Sequence, residues 1–147
     1  MTYPKHYRYR RLVQAKLFID AHFTEDIQVS NIADEASFSK YHFIRLFKEA
    51  YGFTPRQYLI HKRLELARHH LQQGKAVTET CFATGFGSMG TFSTLFKEKT
   101  GQSPSQFKAA YQQRLAEQQA RPAKFIPGCF LGKSNFQEAE VSVKDEL

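Results

Sequence analysis

Cysteine, long apolar runs and acidic side chains are what this chain has little of, and each shortage excludes a class of protein. Two cysteines, Cys81 and Cys129, are too few for a disulfide framework and show no CxxC spacing, so both are expected to be reduced thiols. No apolar stretch approaches the ~20 residues that a bilayer span needs. The basic opening MTYPKHYRYRR has no apolar segment behind it to make a signal peptide. The expectation is a soluble, cytoplasmic protein with no membrane role. Acids number 14 against 21 Lys and Arg, giving a formal charge of +7, which favours polyanionic partners, nucleic acid before an anionic membrane surface.

What is present suffices for a packed core: 147 residues, 41% hydrophobic and 14% aromatic. The charge is unevenly placed. Residues 1–120 hold 17 Lys and Arg against 10 Asp and Glu, whereas 121–147 hold 4 against 4. The basic character therefore belongs to the first 120 residues. In the tail, Pro122, Pro127, Gly128 and Gly132 break any helix and the end, EAEVSVKDEL, is acidic. Its FIPGCFL segment is too apolar for a solvated linker and is expected to dock on the domain or on a partner.

The stretch from Pro55 to Gln73 predicts one long helix, with Thr54 as cap, Pro55 at the first helical position and Gly74 as a left-handed stop. Ile60, Leu64, Ala67 and Leu71 form its apolar stripe, expected to pack against the segments on both sides. Arg56, Lys62, Arg63 and Arg68 keep the remainder cationic. Before it, Leu12, Ala15, Ile19 and Phe23 predict a first helix over 7–23, with Val13, Leu17 and Phe18 widening its apolar face. Arg8, Arg10 and Arg11 crowd its start, where cations oppose the helix dipole; either that end frays in solvent or the cations lie against phosphates. A short helix over 29–36, a turn Ser37-Phe38-Ser39 and a helix from Lys40 to about Tyr51 make a helix-turn-helix. Phe43, Leu46, Phe47 and Ala50 face inward in that last helix, and Tyr41, Ile44, Arg45 and Lys48 face out.

Beyond the long helix the arrangement recurs: a short helix from Val77 to Thr84, a turn Gly85-Phe86-Gly87-Ser88, and a helix from Met89. Laying Ser39–Tyr58 on Ser88–Phe107 pairs nine identities at one offset: Ser39/Ser88, Phe43/Phe92, Leu46/Leu95, Phe47/Phe96, Lys48/Lys97, Glu49/Glu98, Gly52/Gly101, Pro55/Pro104 and Gln57/Gln106. This is an internal duplication, and a closing helix runs from Pro104 to roughly Gln119. Two basic helix-turn-helix units suit duplex DNA, because a helix fits the major groove and its side chains reach base edges. The spacer is compatible with that partner: nineteen residues at about 1.5 Å each make a rod of roughly 28 Å, close to the roughly 34 Å between successive major-groove segments.

Over about residues 7–115 the chain resembles the DNA-binding domain of AraC/XylS-type bacterial transcription regulators. The resemblance rests on GFGSMGTFSTLFKEKTGQSPSQF in the second unit, on FKEAYGFTPRQY in the first, and on Arg63, Leu64, Ala67 and Leu71 in the linker helix. It implies an all-α fold of about seven helices, two helix-turn-helix subdomains joined by a long central helix. The periodicity and composition divide the chain as 1–53, 54–74, 75–120 and an irregular tail 121–147. The resemblance implies promoter binding and, usually, activation, with RNA polymerase as a second partner. The spacer length lets one chain span both groove segments, so a monomer is expected, and no enzyme activity, cofactor or metal is expected. By resemblance, base contacts fall to Lys40, Tyr41, Ile44 and Arg45 in the first unit and to Met89, Gly90, Ser93 and Thr94 in the second. Lys48, Arg56, Lys97, Lys99 and Ser103 become phosphate contacts, the helix starts at Ser103 and Thr54 through free backbone N–H groups. Arg45 is suited to bidentate contact with guanine. Thr94 stands where relatives often carry Arg, and Gly90 weakens its helix by about 1 kcal/mol relative to Ala, so the second unit is expected to read weakly or to hold backbone.

Structural readings stand beside these. Phe43, Leu46, Phe47, Phe92, Leu95 and Phe96 are expected in the core rather than stacked on bases. His61, Glu65 and His69 share a helical face at metal-ligand spacing, but no further ligand is evident and a solvated face is expected. Cys81 replaces a small Ala of the family pattern and is expected to be packed rather than reactive. A metal-assisted methyl-transfer sensor needs a thiolate cluster that two distant cysteines do not supply. The alternative reading is a protein-interaction module working through the apolar tail, with weak DNA binding.

Overall fold

The computed structural model of the chain describes residues 5–35 and 39–120, and every regular element within them is a helix. The seven are α1 (Lys5–His22), α2 (Val29–Glu35), α3 (Lys40–Tyr51), α4 (Pro55–Gln72), α5 (Val77–Ala83), α6 (Met89–Thr100) and α7 (Pro104–Ala120). The all-α expectation holds, with bounds within a residue or two of those the periodicity marks. Ser37, Phe38, Cys129 and the FIPGCFL segment lie outside the described residues.

Local chemistry explains the ends. Ser39 accepts from the His42 amide (3.4 Å) and Ser88 from the Thr91 amide (3.3 Å). Thr54 accepts from the Gln57 amide (3.1 Å) while the Gln57 side chain accepts from the Thr54 amide (2.9 Å), a reciprocal capping box. Ser103 and Gln106 repeat it at α7, at 3.2 and 3.1 Å. Gly52 and Gly101 end α3 and α6 at φ 79° and 82°, and their N–H groups return to Lys48 O and Lys97 O. Only glycine takes that left-handed conformation without a Cβ penalty, so its recurrence at both ends belongs to the duplication.

The duplication extends to the packing. Phe43 and Phe47 have ring centroids 5.7 Å apart at 55°, and Phe92 and Phe96 repeat both values. Tyr58 then meets Phe47 at 5.9 Å, as Phe107 meets Phe96 at 5.3 Å. Each unit thus closes its own core around a phenylalanine pair, capped by an aromatic from the next helix.

The two cores are separate and α4 serves them in succession. Tyr58 and Leu59 are buried in the first, with Leu12, Ala15, Ile19, Ile32, Phe43 and Phe47. Leu64, Ala67 and Leu71 are buried in the second, with Cys81, Phe86, Phe92 and Phe96, and Ile60 packs against them. The expected stripe therefore does not pack on both units. It belongs to the second, and the first is held by residues one and two positions before it, because the units meet α4 at different points along its length. In α1, Leu12, Ala15 and Ile19 are buried as expected, but Val13 and Leu17 are exposed at 39 and 58% and do not widen the face. The reason is contact: α1 packs on α2 and α3, and the side bearing Tyr9, Val13 and Leu17 faces away from that core.

A polar knot ties α4 to α1. The Tyr58 hydroxyl donates to Asp20 Oδ1, Lys62 Nζ lies 3.7 Å from the same oxygen and Lys16 Nζ 3.8 Å from Oδ2. Burial, and then the Asp20 charge, push the Tyr51 phenol up to about 12; burial, the hydrogen bond to Asp20 and its charge raise Tyr58 further. Both phenols stay protonated in the native state above pH 10, where the unfolded chain ionises and so binds fewer protons. Stability is therefore full below about pH 10 and falls as pH rises towards 12. Urea midpoints measured from pH 8 to 12 should show that fall, and Tyr51→Phe should shallow it; an unaltered slope would exclude Tyr51 as a cause. Separate cores make a second prediction. Phe47→Ala should cost about 3–5 kcal/mol, and amide exchange should show protection lost first in α3 while α6 keeps most of its own.

Candidate nucleic-acid interface

Inward packing of Phe43 and Phe47 turns the opposite side of α3 outward. Tyr41 is 87% exposed, and Lys40, Arg45 and Lys48 are exposed around it. Arg45 Nη2 lies 3.3 Å from His42 Nδ1, which steadies the guanidinium on the outer face. Ile44 is half-buried and turned to the side. The expectation missed His42; its signal was the spacing of three to Arg45, which places the two side chains together on a helix.

On α6, Gly90, Thr94 and Lys97 are exposed and Ser93 is half-buried. The Thr94 hydroxyl donates back to Gly90 O at 2.9 Å, leaving its oxygen to accept. Met89 departs from the expected outer face: it is half-buried and packs against the second core, because the first turn of α6 leans on it. Thr91, absent from the expected set, is exposed beside Gly90 and receives a hydrogen bond from Ser88 Oγ at 3.0 Å. Counting outward positions from the phenylalanine stripe alone passes over the first-turn residue that borders the turn.

The inner edges of α3 and α6 face a cleft of about 640 Å³ whose floor is α4. Lys40 and Ile44 line one side, Thr91 and Leu95 the other, and Leu59 and Ile60 lie beneath. The start of α4, at Thr54, Pro55 and Arg56, opens into it. Lys40 and Ile44 of the first outward set and Thr91 of the second border this cleft, so the edges of both helices open onto one side of the central helix.

Among the phosphate candidates, Lys48, Arg56, Lys97 and Lys99 are exposed. Lys99 differs in its partner: its ammonium meets His61 Nδ1, and partial burial lowers its pKa. Two residues on from Lys97, it projects from a different side of α6. Ser103 gives its amide and one acceptor position of its hydroxyl oxygen to the capping box with Gln106, and Thr54 does the same with Gln57. With Pro55 and Pro104 lacking an N–H, the helix starts offer the Arg56 and Ser105 amides rather than those of Thr54 and Ser103.

The His61, Glu65 and His69 trio divides its contacts. His61 stacks on Phe53 with centroids 5.8 Å apart, Glu65 lies 3.5 Å from Arg68, and His69 Nε2 lies 3.0 Å from the side-chain Nε2 of Gln73. No group of three or more His, Cys, Asp or Glu that could hold a metal ion occurs among the described residues. Cys81 is fully buried with Sγ 3.5 Å from Ser88 O, and burial pushes its thiol pKa up, so it packs as a small apolar group. No helix of the described residues is long and apolar enough to cross a membrane.

Comparison with known proteins follows the same lines. Residues 32–110, more than half of the chain, match the family described as a helix-turn-helix domain. The DNA-binding domain of AdpA, crystallised in complex with a target DNA, is similar at a TM-score of 0.67 and 30% identity, covering 70% of this chain and 94% of that one. A transcriptional regulator with an AraC-type DNA-binding domain from Chromobacterium violaceum gives 0.62 and 29%, covering 71 and 95%. The transcriptional activator RhaS of Citrobacter koseri is 38% identical over 95 residues, which are 64% of this chain and 34% of that protein. The bifunctional transcriptional activator/DNA repair enzyme AdaA of Bacillus subtilis is 37% identical over 92 residues, 62% of this chain and 44% of its own. The chain therefore spans less than half the length of these two curated relatives. Two helical units repeated at one offset on a shared central helix, with a family match running across both, make this chain a member of the AraC family of helix-turn-helix DNA-binding domains.

Proposed function

We propose that the chain regulates transcription by laying α3 and α6 into two successive major-groove segments of promoter DNA, as a monomer, and by acting through RNA polymerase. The observation that carries this reading is that the edges of two equivalent helices open onto one α4-floored cleft. AdpA's domain, similar in fold at 30% identity, was crystallised on its target DNA. Helix α4 has 18 residues, about 27 Å at 1.5 Å each, short of the ~34 Å repeat between groove segments by an amount that a tilt of the two units or a bend in the DNA supplies.

In this reading Arg45, steadied by His42, is the principal base reader, placed to donate both N–H groups to guanine O6 and N7. Lys40, Tyr41 and Ile44 complete the first surface, with Tyr41 against a thymine methyl or a sugar. Gly90, Thr91, Ser93 and Thr94 form the second, poorer in charge, with Met89 supporting it from the core. Lys48, Arg56 and Lys97 meet phosphates, joined by the Arg56 and Ser105 amides. Lys99, held at His61, is left out of that set. The first unit carries most of the sequence preference and the second mostly position.

Gel shifts against randomised duplexes separate the roles. Arg45→Ala should lose about 1–3 kcal/mol of discrimination at one base position, an approximately 5- to 150-fold loss of preference. Lys97→Ala should weaken all sequences alike and flatten the plot of log affinity against log salt by about 0.9. An Arg45→Ala protein that enriches the same site as the parent would remove α3 from its assigned role.

A further inference from the structure

The cleft between the units is closed at one end by a joint that neither core explains. Arg63 leaves α4 beside it; Nε donates to Phe23 O at 2.6 Å and Nη2 to Glu25 O at 2.8 Å, both in the turn that follows α1. The same guanidinium lies 5.8 Å from the Phe86 ring, in the turn between α5 and α6. Phe86 is buried in the second core, 5.2 Å from Phe92 of α6. One side chain of the central helix thus grips the backbone of the first unit and the aromatic anchor of the second.

Gly85 shows how closely the two turns approach. A Cβ there would stand 2.9 Å from Arg63 Nε, Phe23 O and Thr24 O, and its φ of 97° is itself left-handed. Two of those three atoms are backbone of the first unit, which has nowhere to give. Gly85 is therefore a point where the backbone of one unit rests on that of the other, with Arg63 filling the remaining side. Burial lowers the Arg63 pKa, against the charge of Asp26, but the group stays a cation at neutral pH.

We propose that the Arg63–Gly85 joint sets the angle between the two helix-turn-helix units, and so makes the chain selective for one spacing between the two half-sites on DNA. A helix alone fixes length but leaves each unit's rotation about it to local packing; a second contact off the axis removes that freedom. Arg63 and Gly85 are positioning residues that touch no base. The proposal rests on the two-unit reading of DNA given above.

The test uses the full chain and duplexes carrying both half-sites with one or two base pairs inserted or deleted between them. Each base pair displaces the second half-site by about 3.4 Å and turns it by about 35°. The parent protein should prefer one spacing by about 10-fold or more over its neighbours, comparable to one mismatched base pair. Arg63→Met removes both donors and Arg63→Lys keeps the charge but not the fork; in each the preference should fall to about 3-fold or less, while affinity for the first half-site alone stays within about 2-fold. Helical circular dichroism confirms that the variants fold, and Gly85→Ala, strained at the same joint, should act in the same direction. Should Gly85→Ala not fold, the two Arg63 variants still decide. Folded Arg63 variants with the parent's spacing preference would overturn the proposal. A parent protein indifferent to spacing would remove the two-unit reading itself and the proposal with it.

Discussion

An isolated helix of α4's length and polarity would be marginal in water, since nucleation is costly and most helical stability in proteins comes from burying one face. Here α4 is buried twice, by different residues. Tyr58 and Leu59 enter the first core, and Leu64, Ala67 and Leu71 enter the second. The hand-over between Leu59 and Leu64 makes the helix a shared wall, so each unit helps to order the segment that positions the other. The cap at Thr54 and the φ 87° glycine Gly74 mark its limits, but burial in both cores is what holds it between the two units.

That shared wall also explains why a chain of small units holds together. Each phenylalanine pair, Phe43 with Phe47 and Phe92 with Phe96, would make a poor core alone. Each gains a lid from the helix that follows, Tyr58 or Phe107, introduced by the same Gly and Pro three residues apart. Turning the chain through a left-handed glycine into a proline-started helix delivers the aromatic at a fixed distance. The geometry repeats because those residues repeat.

Most of this was legible in the residues. Apolar spacing, glycines past helix ends and Ser or Thr before helix starts are local signals, and they located all seven helices of the described residues. The misplacements were of a different kind. Val13 and Leu17 are apolar and correctly spaced, yet they stay exposed, and the stripe on α4 faces one unit rather than two. Which neighbour covers a face is a tertiary fact, and periodicity along one helix contains no record of it. The same limit applies at the interface: Thr91 and His42 are ordinary residues made relevant by the turn or side chain beside them, and Lys99 was set apart by His61, 38 residues earlier. The Arg63 joint lay furthest from view, because its partners are main-chain carbonyls about 40 positions away.

Duplication normally yields two equal surfaces, and here it does not. The nine identities fall on the inward stripe, the caps, the glycine and the proline, which serve packing and chain reversal, and on a lysine-glutamate pair whose lysine is the proposed phosphate contact of each unit. The outward positions Tyr41, Ile44 and Arg45 correspond at the same offset to Gly90, Ser93 and Thr94. Core substitutions that change volume by a methylene are felt throughout a close-packed unit, whereas outward side chains exchange with little effect on folding. The outward faces were therefore free to diverge without upsetting the packing beneath them. What diverged is reach and charge: a long cation and an aromatic on α3, short hydroxyls and a glycine on α6. On the proposed reading, a second surface of that kind makes few base contacts of its own, and its contribution depends on being held at a fixed place relative to the first. The less a unit reads, the more its value rests on the wall and the joint that position it.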